Sequence, residues 1–278
     1  MANITAADVN KLRQTTGAGM MDCKKALVEA DGDFEKAIDF LRKKGQKVAA
    51  NRSDRDAKEG LVIAKTTADG KKAVMVVVNC ETDFVAKNDD FGVFANTILS
   101  VAMEKNPASL EELKSLSYNG NGLTIADKIT EQTGVIGEKI DISGYEVVQG
   151  EYTVAYNHPG NKLASIVSLN KAGGSIVEAG KQVAMQIAAM DPIALDESQV
   201  PEAVVAREME IGREQAAQEG KPADMLDKIA EGKVKKYLKE NTLLNQPSIK
   251  DNKKTVAQTL QEVENGLTVL GFKRIMLG

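Results

Sequence analysis

The stretch Ala73-Val74-Met75-Val76-Val77-Val78, continued by Asn79-Cys80-Glu81-Thr82-Asp83-Phe84-Val85-Ala86-Lys87-Asn88, decides how the chain is read. The unbroken apolar run is that of a buried strand. A helix is expected to open near Asp89. Junctions between strands and helices hold working residues on a rigid support. This one sets a large apolar side chain, Phe84, directly beside a carboxylate, Asp83. Core packing alone explains that pairing poorly. Phe84 either tucks under its own helix, as buried aromatics commonly do, or is displayed.

The second half of the chain bears on that choice. Gly70-Lys71-Lys72 and a strand ending at Asn79 parallel Gly160-Asn161-Lys162 and a strand ending at Asn170. The helix that follows ends Ala102-Met103-Glu104-Lys105-Asn106-Pro107 in the first half and Ala189-Met190-Asp191-Pro192 in the second. The chain thus reads as an internal duplication of a hairpin-plus-helix unit. In the second copy the strand passes through Lys171-Ala172-Gly173-Gly174 straight to its helix, whereas the first carries Glu81, Thr82, Asp83, Phe84 and Val85 in addition. A scaffold that folds without these residues does not need them for packing, which favours a displayed Phe84.

Composition narrows the classes. The 278 residues suffice for two or more domains, and 42% hydrophobic with 27% charged residues is ordinary for a globular protein. A formal net charge of −4 argues against a general nucleic-acid binder. No apolar run reaches the roughly 18 residues of a membrane span. Met1-Ala2-Asn3-Ile4-Thr5 does not read as a secretory leader, and two distant cysteines, Cys23 and Cys80, read as free thiols, so a cytoplasmic location is expected. Tryptophan is absent. Aromatics are the usual anchors of interfaces, which adds weight to a Phe in a loop.

Around this centre the fold class reads as α+β. Residues 1–45 form three short helices: Thr5 caps the first, Val9 and Leu12 give its apolar face, and Gly17 stops it. The second runs from Met21 to Ala30. The third places Phe34, Ala37, Ile38 and Leu41 on one side and ends at Gly45. Met20 and Met21, adjacent on a short helix, cannot both face its core, and methionine suits a contact surface as well as a core. Residues 46–59 read as a linker and 60–143 as the first core subdomain, with capping boxes at Ser109 and Thr124 and a helix ended by Gly134. Residues 144–192 begin the second subdomain with strands at Glu146–Val148, Tyr152–Tyr156 and Leu163–Leu169 and a helix capped at Ser175. Residues 193–241 form a helical hairpin turning at Gly220-Lys221-Pro222, its seam including Val204, Met209, Met225, Val234 and Leu238. Residues 242–278 return to the subdomain with a helix over Thr255–Glu264 and a last strand.

No metal-ligand spacing such as Cys-x-x-Cys or His-Glu-x-x-His occurs, and the phosphate-loop pattern is incomplete at Gly17 and Gly19, so neither a metal nor another cofactor is expected. A Cys80–His158 nucleophilic pair is conceivable but falls at opposite ends of the repeated units, so the chain is not expected to be an enzyme.

Thr16-Gly17-Ala18-Gly19-Met20-Met21-Asp22-Cys23-Lys24-Lys25-Ala26-Leu27 and Asn79-Cys80-Glu81-Thr82-Asp83-Phe84-Val85-Ala86-Lys87 resemble the two signature stretches of the translation elongation factor Ts family. The resemblance runs in order down to the Gly220-Lys221-Pro222 turn. It implies a guanine nucleotide exchange factor for elongation factor Tu, with a three-helix N-terminal domain of the ubiquitin-associated type, a duplicated core and an inserted hairpin that can support homodimer contacts. It further implies that Thr82, Asp83, Phe84 and Val85 enter the partner's GTPase domain. There Phe84 wedges between helices, the magnesium and phosphate site is disturbed, and GDP leaves. Leu12, Met20, Met21 and Lys24 match a face that contacts the nucleotide domain, and His158 a region that touches the partner's third domain. The sequence ends at Gly278, so contacts that some members make through a further C-terminal helical module are not carried over.

Overall fold

The valine run forms the middle of strand β2 (Lys72–Cys80) in the computed structural model of the protein, which describes residues 4–120 and 122–278. The first three residues of the N-terminal domain expected at 1–45 lie outside the described set. β2 is the central strand of a sheet ordered β1-β2-β3, with β1 at Glu59–Thr66 and β3 at Asp141–Gln149. Every residue of β2 after Lys72 is buried. A strand covered on both faces has no polar side to alternate with, so its sequence reads as one apolar run.

A second sheet, ordered β4-β5-β6, is built from Tyr152–Asn157, Leu163–Leu169 and Val269–Met276. Its pairings are antiparallel, with Val154 opposite Val167 and Val167 opposite Phe272. The segment Glu146–Val148, expected as a strand at the start of the second half, is the end of a longer strand, β3, which pairs in the first sheet. Each sheet is therefore a hairpin joined by a strand that returns after the intervening helices. An isolated hairpin is marginally stable at best, which explains why the repeat needs this third strand.

By its contacts the chain divides into two units. One comprises the chain up to Ile63, Val76–Tyr145 and Leu277–Gly278; the other comprises Ala64–Met75 and Glu146–Met276. In the first, Thr5 and Asp8 close a capping box on α1 (Ala6–Thr16), and Gly17 ends it in the left-handed conformation. With α2 (Met20–Glu29) and α3 (Phe34–Asn51), α1 encloses a small core of Val9, Leu12, Cys23, Ala26, Leu27 and Ala37. A one-turn helix α4 (Asp83–Ala86) follows β2, and α5 (Asp89–Lys105) buries Phe91, Phe94, Ile98 and Leu99. α6 (Leu110–Ser115) is capped by Ser109, and α7 (Ile125–Ile136) carries the capping box of Thr124 and Asp127.

Two glycines behave contrary to their reading as helix stops. α3 runs through Gly45 to Asn51, and α7 runs through Gly134 to end at Gly137, whose φ is 79°. Gly45 and Gly134 meet where the helices cross: a Cβ on Gly134 would lie 2.4 Å from the Cα of Gly45. Glycine ordinarily weakens a helix interior by about 1 kcal/mol relative to alanine. Here its missing side chain lets two backbones touch.

In the second unit α8 (Gly174–Met190) packs on β4 and β5 over Val154, Val167, Leu169, Ile176, Val183 and Ile187. Its N-cap is Gly173, with no side-chain cap bond; Ser175, expected to cap it, already lies inside the first turn. α9 (Glu202–Gln218) and α10 (Leu226–Asn241) form the expected hairpin. Small residues close it at one level, where a Cβ on Gly212 would lie 3.1 Å from the Cα of Ala230. Met225, expected in the seam, is exposed at the turn. α11 (Val256–Val263), capped by Thr255 and Gln258, leads into β6.

The Gly134→Ala substitution is expected to destabilise the protein by about 1–3 kcal/mol, because overpacking against backbone outweighs the propensity gain. Gly45→Ala, whose Cβ would meet its nearest atom, the Thr130 carbonyl oxygen, at 3.3 Å, should cost less. Urea denaturation of the two variants checks the order.

Candidate functional site

β2 and β5 enter their helices by different routes. Between β5 and α8 lie residues 170–173; between β2 and α5 lie residues 81–88. The longer junction holds α4, so the residues around Phe84 form a helical turn rather than the expected loop. Ala86 is its buried side, and Asn88 caps the following helix by accepting a bond from the Asp90 amide. Asp83 and Lys87 pair along the surface at 2.6 Å. Phe84 points away from the core with 84% of its surface exposed, more than any other large apolar residue described.

A four-residue helix has little stability of its own. This one is held by side chains from distant sequence. Glu138, immediately after the Gly137 turn that ends α7, accepts three bonds: from the Glu81 amide at 3.2 Å, the Thr82 amide at 3.0 Å and the Thr82 hydroxyl at 2.7 Å. Glu81 returns the contact, its Oε1 accepting from the Lys139 amide at 2.6 Å. The Glu81 carboxylate also binds Arg52 at 2.7 Å and Arg55 at 3.2 Å, and the Lys139 ammonium donates to the Ser53 and Arg55 carbonyls. Thr82 is the N-cap residue of α4 but makes no side-chain cap bond, because its hydroxyl is committed to Glu138. Glu138, Lys139, Arg52 and Arg55 escaped the sequence reading. The one local sign was a charged pair directly after a helix-ending glycine, at Glu138-Lys139.

On the N-terminal helices Met20 and Met21 are both exposed, at 59% and 75%, and Lys24 is exposed beside them. Leu12, expected on the same contact face, is fully buried against Cys23, Ala26 and Leu27. It lies on the inward side of α1 and supports that face from beneath. His158 is exposed in the turn between β4 and β5, its Nδ1 3.0 Å from the Tyr156 hydroxyl.

The thiol of Cys80 is fully buried and donates to the Thr82 carbonyl at 3.1 Å. Burial, with a smaller contribution from the Glu138 charge, pushes its pKa up to about 12. A thiol held neutral is a poor nucleophile, so the conceivable Cys80–His158 chemistry finds no support at Cys80. Among the described residues no cluster of His, Cys, Asp or Glu is placed to hold a metal ion, and no helix is long and apolar enough to cross a membrane.

Fold and site define an α+β scaffold with two three-stranded sheets that displays an exposed phenylalanine on a turn tied by hydrogen bonds. The family model for elongation factor TS matches residues 81–278. The chain is 52% identical to elongation factor Ts of Christiangramia forsetii over the whole of both chains, and 54% identical to that of Amoebophilus asiaticus over 99% of each. Elongation factor Ts of Chloroherpeton thalassium is 46% identical over 100% of this chain and 99% of its own. The chain belongs to the elongation factor Ts family of translation factors.

Burial opposes ionisation of Glu81, but the Lys139 amide, Arg52 and Arg55 outweigh it and lower its pKa below the ordinary value of 4.5. The folded state therefore binds this proton less readily than the unfolded chain. The stabilisation is complete above about pH 4.5 and is lost as pH falls through the lowered value. Thermal unfolding of the native chain and of Glu81→Gln should differ at neutral pH and converge on acidification.

Proposed function

We propose that the protein is a guanine nucleotide exchange factor for elongation factor Tu, the role that membership of its family implies. On this reading α4 enters the GTPase domain of the partner and the Phe84 ring wedges between partner helices. The magnesium and phosphate site there is disturbed, GDP is released, and the nucleotide-free GTPase is held until GTP binds. The chain itself catalyses no covalent step. The observation that carries the reading is the exposure of Phe84 on a turn that the corresponding β5–α8 junction lacks.

The energetics support a wedge working together with other contacts. An exchange factor must bind the nucleotide-free partner more tightly than the nucleotide-bound one. Burying one Phe side chain yields about 1.5–3 kcal/mol, which shifts relative affinities by roughly 10- to 150-fold. Faster exchange than that draws on further surface. Residues 1–45, taken as a ubiquitin-associated-type module, offer Met20, Met21 and Lys24 to the nucleotide domain. The β4–β5 turn offers His158 to another domain of the partner, and the hairpin of residues 193–241 offers a surface for a second copy.

Phe84→Ala is expected to slow GDP release from elongation factor Tu by about tenfold or more while leaving the thermal unfolding of the chain unchanged. Stopped-flow release of a fluorescent GDP measures the rate, and a rate equal to that of the native chain removes Phe84 from the mechanism.

A further inference from the structure

We infer that Glu138 is a positioning residue of the exchange site: it acts through Thr82 to fix the direction in which Phe84 is presented. The inference rests on the reading of Phe84 given above. A ring that is 84% exposed receives almost no guidance from its own core. The turn that carries it has four residues, too few to hold a helical geometry unaided. Its downstream end is tied by the Asn88 cap of α5 and by the buried Ala86. Its upstream end has the weak bond from the Cys80 thiol to the Thr82 carbonyl but lacks a comparable cap tie, because the N-cap residue Thr82 makes no side-chain cap bond to the turn.

Glu138 supplies that tie from 56 positions away in sequence. One carboxylate oxygen takes the amides of Glu81 and Thr82, and the other takes the Thr82 hydroxyl. Bonds to a charged acceptor are stronger than neutral ones, and three on one carboxylate fix the plane of the chain as well as its distance. The carboxylate is itself placed by the chain reversal at Gly137. Glu138 shows no direct tie to the ring; its effect on exchange passes through the backbone of residues 81–82.

The test is a double-mutant cycle on GDP release from elongation factor Tu, using the full chain with Glu138→Ala, Phe84→Ala and both together. Glu138→Ala alone is expected to lower the maximal release rate by about tenfold, with a smaller change in the half-saturating concentration of exchange factor. The double variant should be no slower than Phe84→Ala, since a carboxylate that acts by aiming the ring has no effect once the ring is gone. Glu138→Gln keeps the shape and one acceptor oxygen and should give a smaller loss; it takes the place of Glu138→Ala in the cycle if the latter does not fold. Amide hydrogen exchange over residues 81–87 should accelerate in the Glu138 variants. Losses that multiply in the double variant, or a native rate in Glu138→Ala beside a slow Phe84→Ala, overturn the positioning role alone. A native rate in Phe84→Ala overturns the wedge reading and this inference with it.

Discussion

A side chain that is to stand outside its own core cannot be aimed by that core. Packing positions buried groups through many weak contacts from all sides, and Phe84 has given those up. What replaces them is a small number of directional polar bonds to the backbone that carries it. Glu138 and Glu81 reach across each other, each carboxylate taking amides from the opposite segment. The arrangement requires β2, the end of α7 and the start of β3 to converge at one point. Much of the first unit follows from that requirement: β2 central in its sheet, β3 beside it, and a left-handed glycine turning the chain just before Glu138.

The two sheets show how such a site can sit on a plan whose other half lacks it. Both sheets have the same order, a hairpin with a returning third strand, and both place a long helix after the second strand. The second copy passes from strand to helix through residues 170–173 without an added turn, and Asn170 and Lys171 bond there to the segment just before β6. The first interposes α4, and the extra residues bring with them an exposed aromatic, a threonine committed to a remote carboxylate and an acid tied to two arginines. The buried cysteine adjoining the turn, whose thiol burial holds in the neutral form, adds a bond to the Thr82 carbonyl.

Much of this was legible in the sequence, for physical reasons that differ from element to element. The valine run announced a central strand because a strand covered on both faces has no polar side. The caps at Thr5, Ser109 and Thr124 sit where side chains of the right length meet orphan amides. Phe84 stood out because its neighbours had no counterpart in the second copy. The failures also have causes. Gly45 and Gly134 read as stops because glycine is locally a poor helix former, and a contact between residues 89 positions apart overrides that preference. Glu146–Val148 could not be assigned to its sheet, since partner choice is not encoded within a strand. Leu12 was read by its spacing as part of an apolar face, which is where it lies, and was placed on a contact surface only by the family resemblance. Glu138 lies far in sequence from the turn it holds, and nothing local marks a carboxylate as a clamp.

The crossed carboxylates have a mechanical consequence. A single bond at the base of α4 would act as a swivel, free to turn under an oblique push. Two oppositely directed attachments, one from each chain segment, resist torque as well as tension. Any load applied at the aromatic tip therefore passes through the short helix into two chain segments, the end of β2 and the residues just before β3, and not into one bond.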